Sequence, residues 1–295
     1  MEEIQAVAQN LVFGILLGSL YGLAAVGISM VFGVTKILNV AHGELLMFGG
    51  YATFWLFDLL NLDPFLSLPL TIFFLILIGA VLYQLLFVRV VKLPEEEKIK
   101  NSMLIGFGLT LVLQNIALIL WTADDRGITT SYFGEAFTIW GVRFPYVRVA
   151  GLVISLVCLF ALQQFLRRTY TGKAIRATVV DWEAASLVGI NVHKVYRFSF
   201  LLGTALAGVA GTLVLVCFSV EPSMGMHWTL KSLIVMVLGG MGNFMGTFVA
   251  GILLGVTESA TAYFISGNYR QVVGLILFLL VLILKPQGLF GAKER

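Results

Sequence analysis

Charge is what this 295-residue chain has least of: Asp, Glu, Lys and Arg make up 12% of it, against about 25% in soluble globular proteins. Hydrophobic residues reach 59%, well above the usual ~45–50%. A soluble fold of this length could not bury so much apolar surface and stay dissolved, so lipid is the implied solvent. Cysteine is scarce too. Cys158 and Cys217 both lie inside apolar runs, which argues against a disulfide framework. Histidine occurs only as His42, His193 and His227, too scattered for a metal centre, so no metal and no cofactor are expected. There is no G-x-S-x-G, no H-E-x-x-H and no G-x-x-x-x-G-K-[ST] phosphate loop; Gly172-Lys173 lacks the upstream glycine. Those absences disfavour a catalytic core and an internal ATPase. A net charge of +3 gives no reason to expect nucleic acid as a partner.

What is present is a series of long apolar runs, each near the about 20 residues that a helix needs to cross a bilayer. They fall at Asn10–Gly33, Val40–Leu60, Pro64–Val88, Ser102–Thr122, Val149–Leu166 and Phe198–Ser219. Three shorter or less regular ones follow at Ser232–Gly240, Gly246–Ala262 and Val272–Leu284. Met1 is followed by Glu2 and Glu3 rather than a basic flank, so the first run is expected to be retained as a span. The expected fold is all-α, a polytopic transmembrane helical bundle of about eight to nine spans, some short or broken, forming one domain over residues 1–295. Lys36, Arg89–Lys100, Arg167–Arg197 and the tail from Lys285 hold 14 of the 19 Lys and Arg residues. The bias of basic residues toward the cytoplasm then predicts an outside N-terminus and a cytoplasmic C-terminus.

Apolar side chains gain nothing by leaving lipid for one another, so membrane helices associate through small residues and buried polar contacts. Gly14, Gly18 and Gly22 share one face of the first span; Gly203, Ala207 and Gly211 repeat the device, as do Gly242 with Gly246 and Gly251 with Gly255. In Leu238–Gly246, LGGMGNFMG, four glycines and Asn243 make an unbroken helix costly. Two readings stand: a broken helix lining a transport path, with Gly239, Gly240, Gly242 and Asn243 at the break, or a tight interfacial turn between two helices.

Polar residues inside the spans carry the same question. Asn39, His42 and Glu44 open the second span in the string LNVAHGELLMFGG. They lack a nucleophile motif and a second histidine, which leaves hydrogen bonding at a helix start or the polar lining of a substrate path. For Gln114, Asn115 and Glu258, interhelical hydrogen bonding is expected. The basic segment 167–197 contains a stretch of helix formers, Ala174–Val188, with Asp181 placed as an N-cap ahead of Trp182–Val188 and Gly189 at its stop. Such a helix is too short to stand alone in water and needs a surface to pack on, lipid headgroups or another protein.

Several strings resemble one family. Glu183-Ala184-Ala185, three residues and Gly189 match the EAA-xxx-G loop of ABC-importer permeases. GSLYGLAAVGISMVFGVTKILNVAHGELLMFGGY (Gly18–Tyr51), LGGMGNFMGTFVAGILLG (Leu238–Gly255) and KPQGLFG (Lys285–Gly291) resemble the high-affinity branched-chain amino acid permeases, over nearly the whole chain. The resemblance implies a multi-pass permease of the bacterial inner membrane, paired with a second, related permease. It also implies two ABC ATPase subunits below and a periplasmic substrate-binding protein above. Glu183, Ala184, Ala185 and Gly189 would form the coupling helix of a cytoplasmic coupling segment, 167–197. Asn39, Ala41, His42, Gly43 and Glu44 match the family's most recognisable string. The rival readings are a urea, short-amide or sugar permease of the same architecture, and, from other classes, a membrane-embedded enzyme or a passive channel.

Overall fold

The computed structural model of the protein describes residues 2–291; Lys293 and Arg295 of the basic tail lie outside the described residues. Eleven helices follow in chain order, numbered here α1 (Glu2–Thr35), α2 (His42–Leu60), α3 (Leu68–Val90, with a π-helical stretch at Tyr83–Phe87), α4 (Glu95–Trp121), α5 (Tyr146–Arg168), α6 (Tyr170–Val180), α7 (Trp182–Leu187), α8 (Val192–Cys217), α9 (Met224–Gly239), α10 (Phe244–Phe264) and α11 (Arg270–Leu284). The nine apolar runs fall on the nine helices of 15 residues or more among the described residues; α6 and α7 are short and lie between α5 and α8. Seven helical segments are long and apolar enough to cross a membrane. Of the other two, α9 is apolar but has 16 residues, and α2 is diluted by His42, Glu44 and Asp58.

Three features differ from expectation. The seventh span starts at Met224 rather than Ser232, because Lys231 sits inside the helix with a partner rather than at its mouth. In the stretch expected to be loop, Ala136–Ile139 (β1) pairs antiparallel with Val142–Pro145 (β2) around Trp140-Gly141, both at positive φ. Gln9 at the start of α1 holds this hairpin: its side chain accepts from the Arg143 amide at 2.7 Å and donates to the Arg143 carbonyl at 2.9 Å. Asn115 does not bridge helices, since its amide donates to Leu111 one turn back at 2.8 Å.

The small-residue faces find each other. A Cβ on Gly14 would approach Val256 backbone at 2.7 Å and one on Gly18 the Ile252 backbone at 2.6 Å, while Gly251 and Gly255 face Gly22 and Gly18 in return. α1 and α10 are thus in backbone contact, the approach that glycine at four-residue spacing permits. Gly203 of α8 meets Gly27 of α1, and Gly208 and Gly211 meet Gly49 and Gly50 of α2. These contacts bury α1 and α8 at the centre of the bundle, and α3, α4, α5 and α11 form its apolar, largely exposed rim.

Alternation of the helices gathers one set of connections at each end. At one end Lys36 approaches Glu95 at 3.9 Å, Gly33 abuts Gly242, and Leu289 of the tail donates its amide to Leu238 at 2.7 Å. At the other, Asn10 meets Ser259, Tyr132 donates to Asp63 at 2.7 Å, and Arg126 and Val220 exchange backbone hydrogen bonds at 2.9 Å.

Candidate functional site

The chain is broken at depth between α1 and α2. Residues 36–41 leave the helix and turn at Val40-Ala41, and all but Lys36 and Leu38 are buried. They lead back into the bundle, since His42 Nε2 reaches the carbonyl of Ala24 at 3.1 Å. Ala24 lies about 16 Å along α1 from its end at a rise of ~1.5 Å per residue. Backbone outside a helix is tolerated at that depth only where its polar groups are satisfied by protein. Here hydroxyls and one amide do so. Thr35 Oγ1 accepts from Ile37 N, Ser102 Oγ of α4 accepts from Leu38 N at 3.0 Å, and Asn39 Oδ1 accepts from Ala41 N at 3.2 Å. Thr229 of α9 donates its hydroxyl to the Val40 carbonyl at 2.9 Å and accepts from Gly43 N at 2.8 Å.

The same segment carries Asn39, His42 and Glu44, each only 1% exposed. A carbonyl can only accept, so His42 holds its proton on Nε2 and leaves Nδ1 as an acceptor. Nδ1 of His42, Nδ2 of Asn39 and Oε2 of Glu44 have no partner among the described residues. Glycine makes the room: the imidazole lies against Gly27, Gly106 lies against Val40 N, and the Glu44 carboxylate occupies the space a side chain on Gly225 would need. Three buried polar atoms without partners are costly, each about 1–3 kcal/mol. No three His, Cys, Asp or Glu side chains come together among the described residues as a metal ion would require.

Gly239, Gly240, Gly242 and Asn243 lie elsewhere. α9 ends at Gly239, Gly240 and Gly242 take positive φ of 96° and 85°, and Asn243 caps α10 by accepting from Gly246 N at 3.0 Å. Asn243 also donates to the Phe290 carbonyl at 2.8 Å. The geometry is that of a tight turn between two helices, at the end of α1 rather than mid-bundle. With Leu159, Leu162 and Gln163 of α5, the Gly242–Met245 stretch borders a cavity of about 270 Å³.

At the same end, α7 stands clear of the bundle. Asp181 Oδ1 accepts from the amides of Glu183 and Ala184, both at 2.9 Å, and Gly189 follows at a φ of 89°. Those are the cap and stop that the sequence pattern requires. Within α7 only Ala185 is buried; Trp182, Glu183, Ala184 and Leu187 are exposed, Leu187 at 89%.

Two clusters escaped the sequence reading. Glu258 does join helices, as expected, but to an unforeseen partner: Lys231 of α9 reaches its Oε1 at 2.5 Å, and the Tyr21 hydroxyl of α1 donates to its Oε2 at 2.9 Å. The signal was Lys231 itself, a lone charge within an apolar run. At the opposite end from α7, Tyr51 stacks on Trp121 at 4.0 Å and the Arg126 guanidinium lies 5.3 Å from the Trp55 ring. The Tyr51 hydroxyl, Trp55 Nε1 and Arg126 Nε have no partner among the described residues. Tyr51 and Trp55 stand four apart on one helix face, which the sequence does carry, but nothing in it links them to Arg126.

Comparison with known proteins agrees with this architecture. The sequence profile of the family described as "Branched-chain amino acid transport system / permease component" matches residues 10–282. The permease protein BraD of a high-affinity branched-chain amino acid transport system in Pseudomonas aeruginosa is 33% identical, over 100% of this chain and 99% of its own length. LivH of Salmonella typhimurium, described in the same words, is 30% identical over 99% and 98%. More distant is the ribose import permease RbsC of Haemophilus influenzae, 26% identical over 94% of this chain and 84% of its own. No solved structure matches. On this similarity, with a polytopic bundle of apolar helices beneath it, the chain belongs to the family of permease components of branched-chain amino acid transport systems.

Proposed function

We propose that this protein is a membrane-spanning permease subunit of an ATP-driven ABC importer for branched-chain or other hydrophobic amino acids, delivered by a periplasmic binding protein. It works in the bacterial inner membrane beside a second, related permease, with N-terminus outside and C-terminus in the cytoplasm. The observation that carries the reading is α7, a capped helix of six residues that presents Trp182, Leu187 and Glu183 outward and buries only Ala185. A helix so short and so thinly packed has no stability of its own to spare for exposed apolar side chains, and a groove on an ATPase subunit would cover them. Closure of the two ATPases around ATP then moves the Glu183–Gly189 segment as a lever and tips the bundle between outward- and inward-open states.

Asn39, His42 and Glu44 are assigned to the substrate path in this proposal, because they hold partnerless polar atoms where lipid offers none. A zwitterion passing an otherwise apolar wall needs a few such dipoles. Gly239, Gly240, Gly242 and Asn243 are assigned to its cytoplasmic border, on the strength of the cavity beside them.

Co-expression with the cognate ATPase and permease tests the reading. Glu183→Arg and Gly189→Val are expected to insert normally, fail to co-purify with the ATPase and abolish ATP-dependent uptake of labelled leucine. Normal assembly in both variants would remove the lever. Uptake of ribose in place of leucine by the intact complex would transfer the chain to the sugar branch.

A further inference from the structure

Beneath α7 lies a cavity of about 460 Å³, lined by Val91, Lys92 and Leu93 ahead of α4, Lys98 of α4, Trp182 and Ser186 of α7, and residues 190–193 and Tyr196 at the start of α8. Its lining has two lysines and a histidine and no acidic residue. Lys98 is the singular member. It is 8% exposed, yet among the described residues its ammonium makes no hydrogen bond and no ion pair; its one close partner is the Tyr196 ring, 5.4 Å away. The nearby carboxylate, Glu95, is turned to Lys36 at 3.9 Å. The stem is buried while the ammonium opens into the cavity without an ion-pair partner, where an anion would supply its counter-charge.

The rest of the wall is built to receive one. α8 starts here, with Asn191 as N-cap accepting from Lys194 N at 3.0 Å. The amides of Val192 and His193 in its first turn have no acceptor among the described residues. A 26-residue helix directs the positive end of its dipole at this point. Ser186 and Tyr196 add hydroxyls. Two ammonium groups, two free amides and two hydroxyls offer more donors than the two oxygens of a carboxylate can accept, but a phosphate group suits them.

We propose that this cavity binds a phosphate-type anion, either free phosphate or the headgroup of an anionic lipid. The anion is held by Lys98, Lys92 and the first-turn amides of α8. Because Ser186 and Trp182 close the other side, the bound anion also ties α7 to α4 and α8 across what is otherwise empty space. That consequence rests on the coupling proposed above; the binding itself does not.

Native mass spectrometry of the full chain in an uncharged detergent tests the site, with phosphatidylglycerol, phosphatidylcholine and inorganic phosphate titrated separately. Phosphatidylglycerol or inorganic phosphate is expected to bind in preference to phosphatidylcholine. Lys98→Gln should weaken that binding about fivefold, the effect of about one basic residue at an anionic headgroup. Lys98→Arg should keep most of it, and Lys173→Gln, exposed on α6 away from the cavity, should change nothing. Binding of phosphatidylglycerol alone identifies a lipid site, and binding of inorganic phosphate as well identifies a site for the free anion. Equal binding of all three, or equal losses in Lys98→Gln and Lys173→Gln, would overturn the proposal. So would capture of neither anion, and a Lys98-to-carboxylate cross-link to a partner subunit would then identify what pairs with it instead. Anion binding that persists in a variant unable to dock the ATPase would separate this site from the fate of the lever.

Discussion

Residues 36–44 and residues 181–189 use the same local devices in opposite settings. Each places a short polar side chain against nearby backbone amides, Asn39 to turn the chain ahead of α2 and Asp181 to cap α7, and each leaves regular structure at a residue with positive φ, Lys36 or Gly189. In the first, contacts from α1, α4 and α9 close on every side. In the second, only Ala185 is enclosed. Local stability follows enclosure, because a segment opens at the free energy of the contacts that hold it. The buried break is therefore a fixed part of the bundle, and the exposed helix is free to follow a partner.

The sharpest way to break this contrast is Gly43→Ala. Its new methyl group would overlap the Gly225 carbonyl, backbone against backbone, and the expected loss exceeds about 4 kcal/mol. Size-exclusion chromatography of the detergent-solubilised protein should find no monodisperse peak; a wild-type profile would mean that the break is not closed in. Next comes Lys231→Met, two positions beyond Thr229 on α9. It strands Glu258 in the bundle at a cost of about 3–5 kcal/mol, read as a fall in melting temperature, and adding Glu258→Gln should restore most of it. Failure of the second substitution to rescue would deny that the pair acts as one unit.

Thr229→Val removes the shared hydroxyl and leaves the Gly43 amide and the Val40 carbonyl without it, worth about 1–3 kcal/mol. An unchanged melting temperature would contradict the role given to Thr229. Asp181→Ala is the mildest. Losing its cap costs about 1 kcal/mol, confined to α7, so global melting should stay put while ATPase stimulation by the complex falls. A drop in melting temperature as large as that of Thr229→Val would erase the difference between the two regions.

Much of the fold was legible in the sequence because lipid imposes a length and a composition on every crossing. Gly14, Gly18 and Gly22 announced a close helix contact, and Asp181 and Gly189 announced where α7 begins and ends. The partner of that glycine face, Gly251 with Gly255, was legible only as another small-residue pair, since spacing gives a face and no address. The turn at Gly239–Asn243 drew attention by its glycines, yet the break at depth is the less conspicuous stretch 36–41. Its non-helical backbone is stabilised by Ser102 and Thr229, tens to nearly two hundred positions away.

The order and number of apolar helices, the gathering of basic residues onto alternate connections and the capping of α7 all follow from the sequence itself, because each depends on residues within a turn or a span of one another. The helix pairs in contact, the polar atoms left without partners and the unpaired ammonium of Lys98 at its cavity were decided by tertiary structure. Those are properties of what surrounds a residue, and the surroundings come from remote parts of the chain.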